Sequence, residues 1–200
     1  MKLTCIVTLL LLTTFSSAIG QNNEFPKYVP DATTVCIVPV VNRSAEKHAQ
    51  FKARQSEAGA DELIKEFSMR GFKLVDEAII TRAMSDLKID MNDTASFNTA
   101  TLTKIGKSVN ADLTVFVVIT AVEQHSNVEG NDVNGKAKVT LWLIDNKNPA
   151  PLLNGVTKEG VSYGWLGALG TAMIRHAVAN GERNLLNDFF KPYPVKKGRG

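Results

Sequence analysis

Three glycines near the C-terminus have the spacing that comes nearest to a binding site. Gly164, Gly167 and Gly170 recur at every third position and precede a stretch with helical periodicity. Free backbone N–H groups at the start of a helix can bind an anion, and glycine lets a ligand approach them closely. Flexible passage into the helix and close helix packing explain the same glycines, and we favour that explanation. The three glycines remain the candidates for an anion site.

A second glycine motif, Gly106-Lys107-Ser108, resembles the end of a phosphate-binding loop. Such a loop requires another glycine five residues before the first one, and that position is Thr101. The triplet also closes a predicted helix, whereas a phosphate-binding loop opens one. The sequence therefore argues against nucleotide binding at this point.

The histidines and cysteines do not form a metal-binding pattern. His48, His125 and His176 stand far apart, and none has a second histidine or a cysteine at metal-ligand spacing. Cys36 lies between Val35 and Ile37, which is typical of a small buried side chain in a strand. We therefore predict no metal site and no reactive thiol.

Carboxylates are the remaining candidates for catalysis. Asp86, Asp90 and Asp93 cluster around the end of a predicted helix, where capping and solvation explain them better than acid-base chemistry does. We therefore predict that the chain has no catalytic residue, needs no cofactor and is not an enzyme. The alternative is a small-ligand or nucleotide-binding protein, or a hydrolase, that uses the helix start at Gly164–Gly170 and the loop Asp90–Ser96.

Residues 1–20 have the layout of a secretory signal peptide. Lys2 precedes an apolar run that reaches Leu12, and small residues follow before a cleavage point after Ala18 or Gly20. The apolar run is shorter than the roughly 20 residues of a membrane span. Because Cys5 lies inside this run and no cysteine stands at the cleavage point, lipid anchoring is not expected. No integral membrane span is predicted after signal cleavage.

The charge of the chain after residue 20 is close to neutral. Signal removal takes away Lys2 from the 23 basic residues and none of the 20 acidic ones. Basic residues are scattered except in the predicted disordered tail, residues 192–200, so a nucleic-acid partner is not expected. A single cysteine remains, so an internal disulfide is excluded and a hydrophobic core must provide the stability.

The stretch Ala111–Glu123 positions the rest of the predicted fold. Its apolar residues fill both faces of a strand, which is typical of a sheet covered by helices on both sides. Residues 21–34 are predicted to be an extended lead-in and residues 35–191 to form one domain. The predicted strands are 35–41, 72–75, 111–123, 136–145 and 152–161. The predicted helices are 57–70, a second helix that Asp76 caps and whose apolar stripe runs from Ile80 to Leu87, 99–109 and 168–190.

Several local features refine these elements. Pro39 requires an unpaired position or the end of the first strand. Residues 42–55 are predicted to be a loop or a frayed helix, and residues 125–135 to be a hairpin turn. Gly155 and Gly160 are expected to break the last strand, and Gly181 to kink the last helix. The triplets that begin at Asn42 and Asn92 match glycosylation acceptors, which matters only in a eukaryotic secretory pathway.

An ordered set of segments resembles the CsgG-like family. The segments are VCIVPVVN, LIKEFSMRGFKLVDEAIITRAMSD, LTKIGKSVNADLTVFVVIT, KVTLWLIDNKN and AMIRHAVANGERNLL. This family of bacterial envelope proteins includes the curli secretion component and is related to the LpoB-type lipoprotein activators of penicillin-binding proteins and to the N-terminal domain of TolB. The resemblance covers roughly residues 35–186.

The resemblance implies an α/β fold with a mixed sheet of about five strands flanked by helices, in the order β-α-β-α-α-β-β-β-α. It further implies a secreted or periplasmic protein, including one associated with the outer membrane. Its partner would be another envelope protein or a second copy of the chain. The connection between Gln124 and Gly135 is too short for membrane-crossing insertions, so a pore is not expected.

Overall fold

Strand β4 lies at the centre of the sheet in the computed structural model of the protein. The structure describes residues 25–90, 93, 97–127, 132–148, 150–165 and 170–196. The strands are β1 Thr34–Ile37, β2 Val41–Asn42, β3 Lys73–Leu74, β4 Leu113–Asn127, β5 Asp132–Asp145 and β6 Leu153–Trp165. The helices are α1 Ala49–Met69, α2 Glu77–Asp86, α3 Thr99–Ser108 and α4 Gly170–Phe190. The predicted α/β class is confirmed, with six described strands instead of about five.

The sheet is mixed, with the order β3-β1-β4-β5-β6 and β2 paired to β4. Strands β3, β1, β2 and β4 pair in parallel, and β4, β5 and β6 form an antiparallel ribbon. Because parallel neighbours need crossover connections, α1 to α3 occupy the first part of the chain. The ribbon places β6 at one edge of the sheet.

Helices cover both faces of β4, as its two apolar faces predict. Val115 and Val117 belong to the core under α1 and α4. Phe116 and Val118 point the other way and pack with residues of α2 and α3. The sheet is therefore the middle of three layers along this part of β4.

Pro39 lies in a gap between β1 and β2. The N–H of Val38 still donates to Val115 at 2.9 Å, and the N–H of Arg43 donates to Ile119 at 2.7 Å. The chain therefore follows β4 on both sides of Pro39, which has no N–H to donate. The prediction that Pro39 takes an unpaired position is confirmed.

Helix α1 begins at Ala49, before the predicted start at residue 57, so residues 49–55 follow the helical alternative of the prediction and not the loop. Gln55 is buried, and its Oε1 accepts a hydrogen bond of 2.6 Å from the side-chain amide of Asn42. A polar residue on the inner face conceals the helical periodicity from sequence inspection. The Oδ1 of Asn42 also accepts from Ser44, so this glycosylation candidate is engaged within the fold. Asn92 lies outside the described residues.

The hairpin between β4 and β5 is longer than predicted. Residues 125–127 belong to β4 and residues 132–135 belong to β5, while residues 128–131 lie outside the described residues. Polar residues lie opposite one another at these strand ends, as Glu123 and Lys136 do. Cross-strand pairing of polar residues on an exposed face supports strands that show little hydrophobic alternation.

The glycines of β6 do not interrupt the strand, contrary to the prediction. Gly155 has φ +64° and lies against the ring of Trp142, where the pairing with β5 shifts register. A Cβ at Gly160 would overlap the backbone of Ala177 and Gly181 on α4. Helix α4 continues through Gly181, which allows this close approach. Both β6 glycines accommodate neighbours that periodicity does not reveal.

The predicted helix ends are confirmed. Asp76 caps α2 by accepting a hydrogen bond of 2.8 Å from the N–H of Ala78. Gly71 after α1 and Asn110 after α3 have φ of +86° and +55°, the left-handed conformation that closes a helix. Asn98 caps α3 in the same way as Asp76, through the N–H of Thr101 at 3.0 Å.

Candidate functional site

The three candidate glycines occupy different kinds of structure. Gly164 is paired with Val133 inside β6, and Gly170 is the first residue of α4. Gly167 lies outside the described residues. Gly164 therefore belongs to a paired strand and not to the helix start. Because Gly167 is not described, an anion site formed by all three residues stays a prediction.

Gly106 of the Gly106-Lys107-Ser108 triplet has a structural role. A Cβ at this position would overlap the side chains of Thr114 and Asn146. Thr114 donates to Asn146 at 3.0 Å, and the amide of Asn146 donates to the carbonyl of Ala111 at 2.8 Å. Glycine therefore lets α3 pack closely on a buried polar network.

The structure places the Cys36 thiol and two of the three histidines in different surroundings. Cys36 is fully buried, and burial raises the pKa of its thiol to about 12. His125 is largely exposed beside Glu123, and His176 is exposed on α4. Among the described residues, no group of three histidine, cysteine or acidic side chains could hold a metal ion.

Sequence reasoning missed one catalytic motif, because residues 160–164 match Gly-x-Ser-x-Gly. A nucleophile of this kind requires a sharp turn between a strand and a helix. Ser162 instead lies inside β6, paired with Gly135, and is buried. Its hydroxyl contacts the sulfur of Met173 at 3.6 Å. Ser162 therefore does not lie on the sharp turn that this motif requires, and the hydrogen-bond partner of its hydroxyl among the described residues is Met173.

Asp112 lies in the segment that carries the family resemblance and joins three parts of the fold. Its Oδ2 accepts from the N–H of Thr34 at 2.9 Å, and its Oδ1 lies 2.6 Å from Nζ of Lys147. The backbone carbonyl of Asp112 also accepts from Asn146 at 2.9 Å. The hydrogen bond with Lys147 makes the largest contribution to lowering the pKa of Asp112, and the hydrogen bond from the Thr34 N–H makes the next largest. Asp112 therefore links the starts of β1 and β4 to the end of β5.

We expect Asp112→Asn to lower the free energy of unfolding by about 1 kcal/mol at neutral pH, since a charged hydrogen bond is weakened at a partly exposed position. The folded-state pKa lies below the ordinary 3.8, so this stabilisation is present above pH 3.8 and is lost as pH falls through the folded value. Urea unfolding at pH 7 and at low pH measures it. The exposed Asp188→Asn is the control, and an equal loss in both variants would contradict the assigned role.

Strand β6 has its outer edge partly covered by α4. The side-chain amide of Asn180 donates to the carbonyl of Val161 at 2.7 Å, and that of Asn184 lies 3.5 Å from the carbonyl of Glu159. Lys158 donates from its Nζ to the carbonyl of Asn184 at 2.9 Å. Unpaired edge groups are a template for another strand, so these contacts restrict strand addition at the middle of β6.

Thr157, Glu159 and Tyr163 are exposed on the face of β6 that points away from α4. The layer formed by α2 and α3 extends over Val118 and Trp142 of the ribbon. Further along the ribbon, Lys138, Glu159 and Tyr163 are exposed, and Tyr163 retains 80% of its accessible surface. We define the β6 surface as the outer edge of β6 together with the side chains of Thr157, Glu159, Val161 and Tyr163.

A cleft of about 270 Å³ separates α1 from α4 on the opposite face of the sheet. Its lining comprises Ala58, Asp61, Glu62, Lys65, Ala172, Arg175, His176 and Ala179. Glu62 is already paired, since its carboxylate lies 3.4 Å from Nζ of Lys65 and 2.8 Å from Nε of Arg183. The cleft is therefore lined by charges of both signs, and the charge of Glu62 is partly neutralised by its ion pairs.

Glu182 is buried between α1 and α4 close to this cleft. It is 1% exposed, and neither carboxyl oxygen has a hydrogen-bond partner among the described residues. A Cβ added at Gly59 would lie 2.6 Å from its Oε1. Burial, and then the charge of Glu62, raise the pKa of Glu182 well above its ordinary value, while Arg183 opposes the shift. Burial therefore favours the neutral form of this carboxyl over the ionised form.

The sequence contained a signal for Glu182 that periodicity analysis did not use. Val178, Glu182, Leu186 and Phe190 recur at every fourth position on the buried stripe of α4, so Glu182 takes a position that is otherwise apolar. Within the described part of the chain, no helix has both the length and the apolar character of a membrane span.

Comparison with known proteins gives similarity in structure only. No protein-family model matches the sequence, and no curated protein matches it. The chain is similar to lipoprotein GNA1162 from Neisseria meningitidis, with 12% identity and a TM-score of 0.49 over 78% of this chain and 99% of that one.

Two further solved structures are similar. The C-terminal domain of LpoB from Salmonella enterica has 15% identity and a TM-score of 0.42, covering 66% of this chain and 84% of its own. PelC from Paraburkholderia phytofirmans, solved as a dodecamer, has 14% identity and a TM-score of 0.45, covering 82% and 92%. The likeness concerns the path of the backbone alone, and the CsgG-like resemblance stays a prediction.

Proposed function

We propose that the chain is a secreted, non-enzymatic envelope protein that binds a partner protein through the β6 surface. The signal-like residues 1–20 and the CsgG-like segments of the sequence support the location and the class. The location proposed is the periplasm or the outside of the cell, including association with the outer membrane. The partner proposed is another envelope protein.

Tyr163 is the single observation that carries the binding surface. An aromatic side chain that is 80% exposed on a strand loses the burial that normally stabilises it. Tyrosine is enriched among the residues that dominate the energy of protein interfaces. Val161 on the same face and the edge of β6 provide apolar contact and backbone hydrogen bonding next to it. A partner can therefore bury Tyr163 and satisfy part of the edge together.

Site-specific cross-linking tests this proposal in cells. A photoreactive phenylalanine replaces Tyr163 in the full-length chain, and the same residue replaces Ile79 in a matched control. Ile79 is 55% exposed on α2, whose buried residues pack with Phe116 and Val118, and Tyr163 lies at the other end of the ribbon. We expect one defined adduct from position 163 in the envelope fraction and no such adduct from position 79.

The cross-link outcome separates the alternatives. An adduct with a second envelope protein supports the proposal, and an adduct with the mass of two copies indicates self-association instead. Equal adducts from both positions, or none from position 163, would contradict a partner site on β6.

A further inference from the structure

Residues 180–184 of α4 connect the edge of β6 to the buried carboxyl between the helices. Asn180 and Asn184 are four residues apart, so both project toward β6, where they reach the carbonyls of Val161 and Glu159. Glu182 is two residues from each, so it projects from the other side of the helix toward Gly59 on α1. This one turn of helix therefore contacts the strand edge on one side and carries, on its other side, a buried acid without a hydrogen-bond partner among the described residues.

The contacts of Glu182 favour this arrangement only while its carboxyl is neutral. An ionised carboxylate that is buried without a donor is costly, and it would face the charge of Glu62. The nearby cationic side chains Lys65 and Arg183 both form ion pairs with Glu62. Lys158 on β6 binds the carbonyl of Asn184. Val40 and Val178 complete the apolar surroundings of Gly59.

We propose that residues 180–184 form a proton-controlled latch on the edge of β6. With a proton on Glu182, the latch is closed and the carbonyls of Val161 and Glu159 are covered. Loss of the proton releases this turn toward solvent, where the carboxylate is hydrated, and uncovers the edge. If the proposed function holds, the latch regulates access to part of the β6 surface, although its operation in the free chain does not depend on a partner.

Hydrogen exchange of the free, full-length chain tests the latch. The readout is the protection of the backbone amides of residues 182–186, measured by NMR from pH 6 to 9 and corrected for intrinsic exchange. If opening releases one proton, protection falls about tenfold per pH unit between the ordinary value of 4.5 and the folded-state pKa. The slope then levels off above the folded-state pKa.

Two variants separate Glu182 from other titrating groups. Glu182→Gln keeps the shape of the side chain but cannot ionise. The protection of the backbone amides of residues 182–186 is therefore expected to be independent of pH in this variant. His176→Gln removes the histidine of the adjoining cleft on the same helix and is expected to keep the slope of the natural chain. If Glu182→Gln does not fold, Glu182→Met provides a second uncharged side chain.

Three results would overturn the latch. The first is flat protection in the natural chain, and the second is an equal slope in Glu182→Gln. The third is simultaneous exchange of residues 182–186 with Val117 and Val139, which would mean that the whole domain opens. Carbon-13 NMR of the Glu182 carboxyl gives an independent check that needs no variant, since titration near 4.5 would also exclude the latch. None of these measurements involves the partner, so their failure leaves the cross-linking result unaffected.

Discussion

Gly160→Val is expected to lower the free energy of unfolding by about 3 kcal/mol or more. Valine is favoured over glycine in strands, so propensity alone predicts stabilisation. The structure predicts the opposite, because a Cβ at Gly160 would overlap the backbone of Ala177 and Gly181. Backbone atoms cannot rotate away as side chains do, so α4 must move off the sheet. Urea unfolding followed by circular dichroism measures the loss.

Glu159→Val is the matched control for this substitution. It introduces the same side chain one position earlier, where the residue is exposed and points away from α4. We expect its stability to change by less than about 0.5 kcal/mol. A small effect of Gly160→Val, similar to that of the control, would contradict the close contact between β6 and α4.

Glu182→Gln is expected to stabilise the protein increasingly as pH rises. Below pH 4.5 the folded and unfolded chains both carry the proton on Glu182, so the group contributes no pH dependence. Above 4.5 the unfolded chain ionises while the folded chain keeps its proton, because the folded-state pKa is raised. Stability therefore falls by about 1.4 kcal/mol per pH unit until the folded-state pKa is reached. The glutamine variant lacks this contribution.

Unfolding by urea at several pH values from 5 to 9 measures the difference between the two chains. Asp188→Asn serves as the control, because Asp188 is an exposed carboxylate on the same helix. Its pKa is lowered by Lys191, so it remains ionised throughout this range. A constant difference between Glu182→Gln and the natural chain would show that Glu182 ionises in the folded protein as it does in water.

Local signals predicted much of the fold. The two apolar faces of β4 predicted helices on both sides, and Pro39 predicted the gap between β1 and β2. Asp76, Gly71 and Asn110 predicted helix ends through conformations and hydrogen bonds that involve only neighbouring residues. Such features depend on a few adjacent residues and are therefore visible in a sequence.

The missed features depend on contacts between distant residues. The sequence leaves residues 42–55 open between a loop and a frayed helix, because the polar Gln55 has its partner, Asn42, outside the helix. Gly160 looked like a strand breaker because α4, which it accommodates, begins ten residues later in the chain. The length of the hairpin was missed because polar cross-strand pairs carry no hydrophobic alternation.

The candidate site was less predictable than the fold. The regular spacing of the glycines near Gly170 predicted an anion site at the helix start, and this site stays a prediction. The exposure of Tyr163 and the burial of Glu182 follow from which layers cover the sheet, and spacing does not reveal them. The segment around Asp112 is one of those that resemble the CsgG-like family. The contacts of Asp112 give this residue a structural role, because they join β1, β4 and β5.

The affinity of the partner captured at position 163 tests the central claim most directly. Binding is compared by calorimetry for the natural chain, Tyr163→Ala and Ile79→Ala, each at the same pH. If Tyr163 anchors the interface, its loss weakens binding by about 30-fold, which corresponds to about 2 kcal/mol, and Ile79→Ala leaves the affinity unchanged. Equal affinities for Tyr163→Ala and the natural chain would contradict a partner site on the β6 surface.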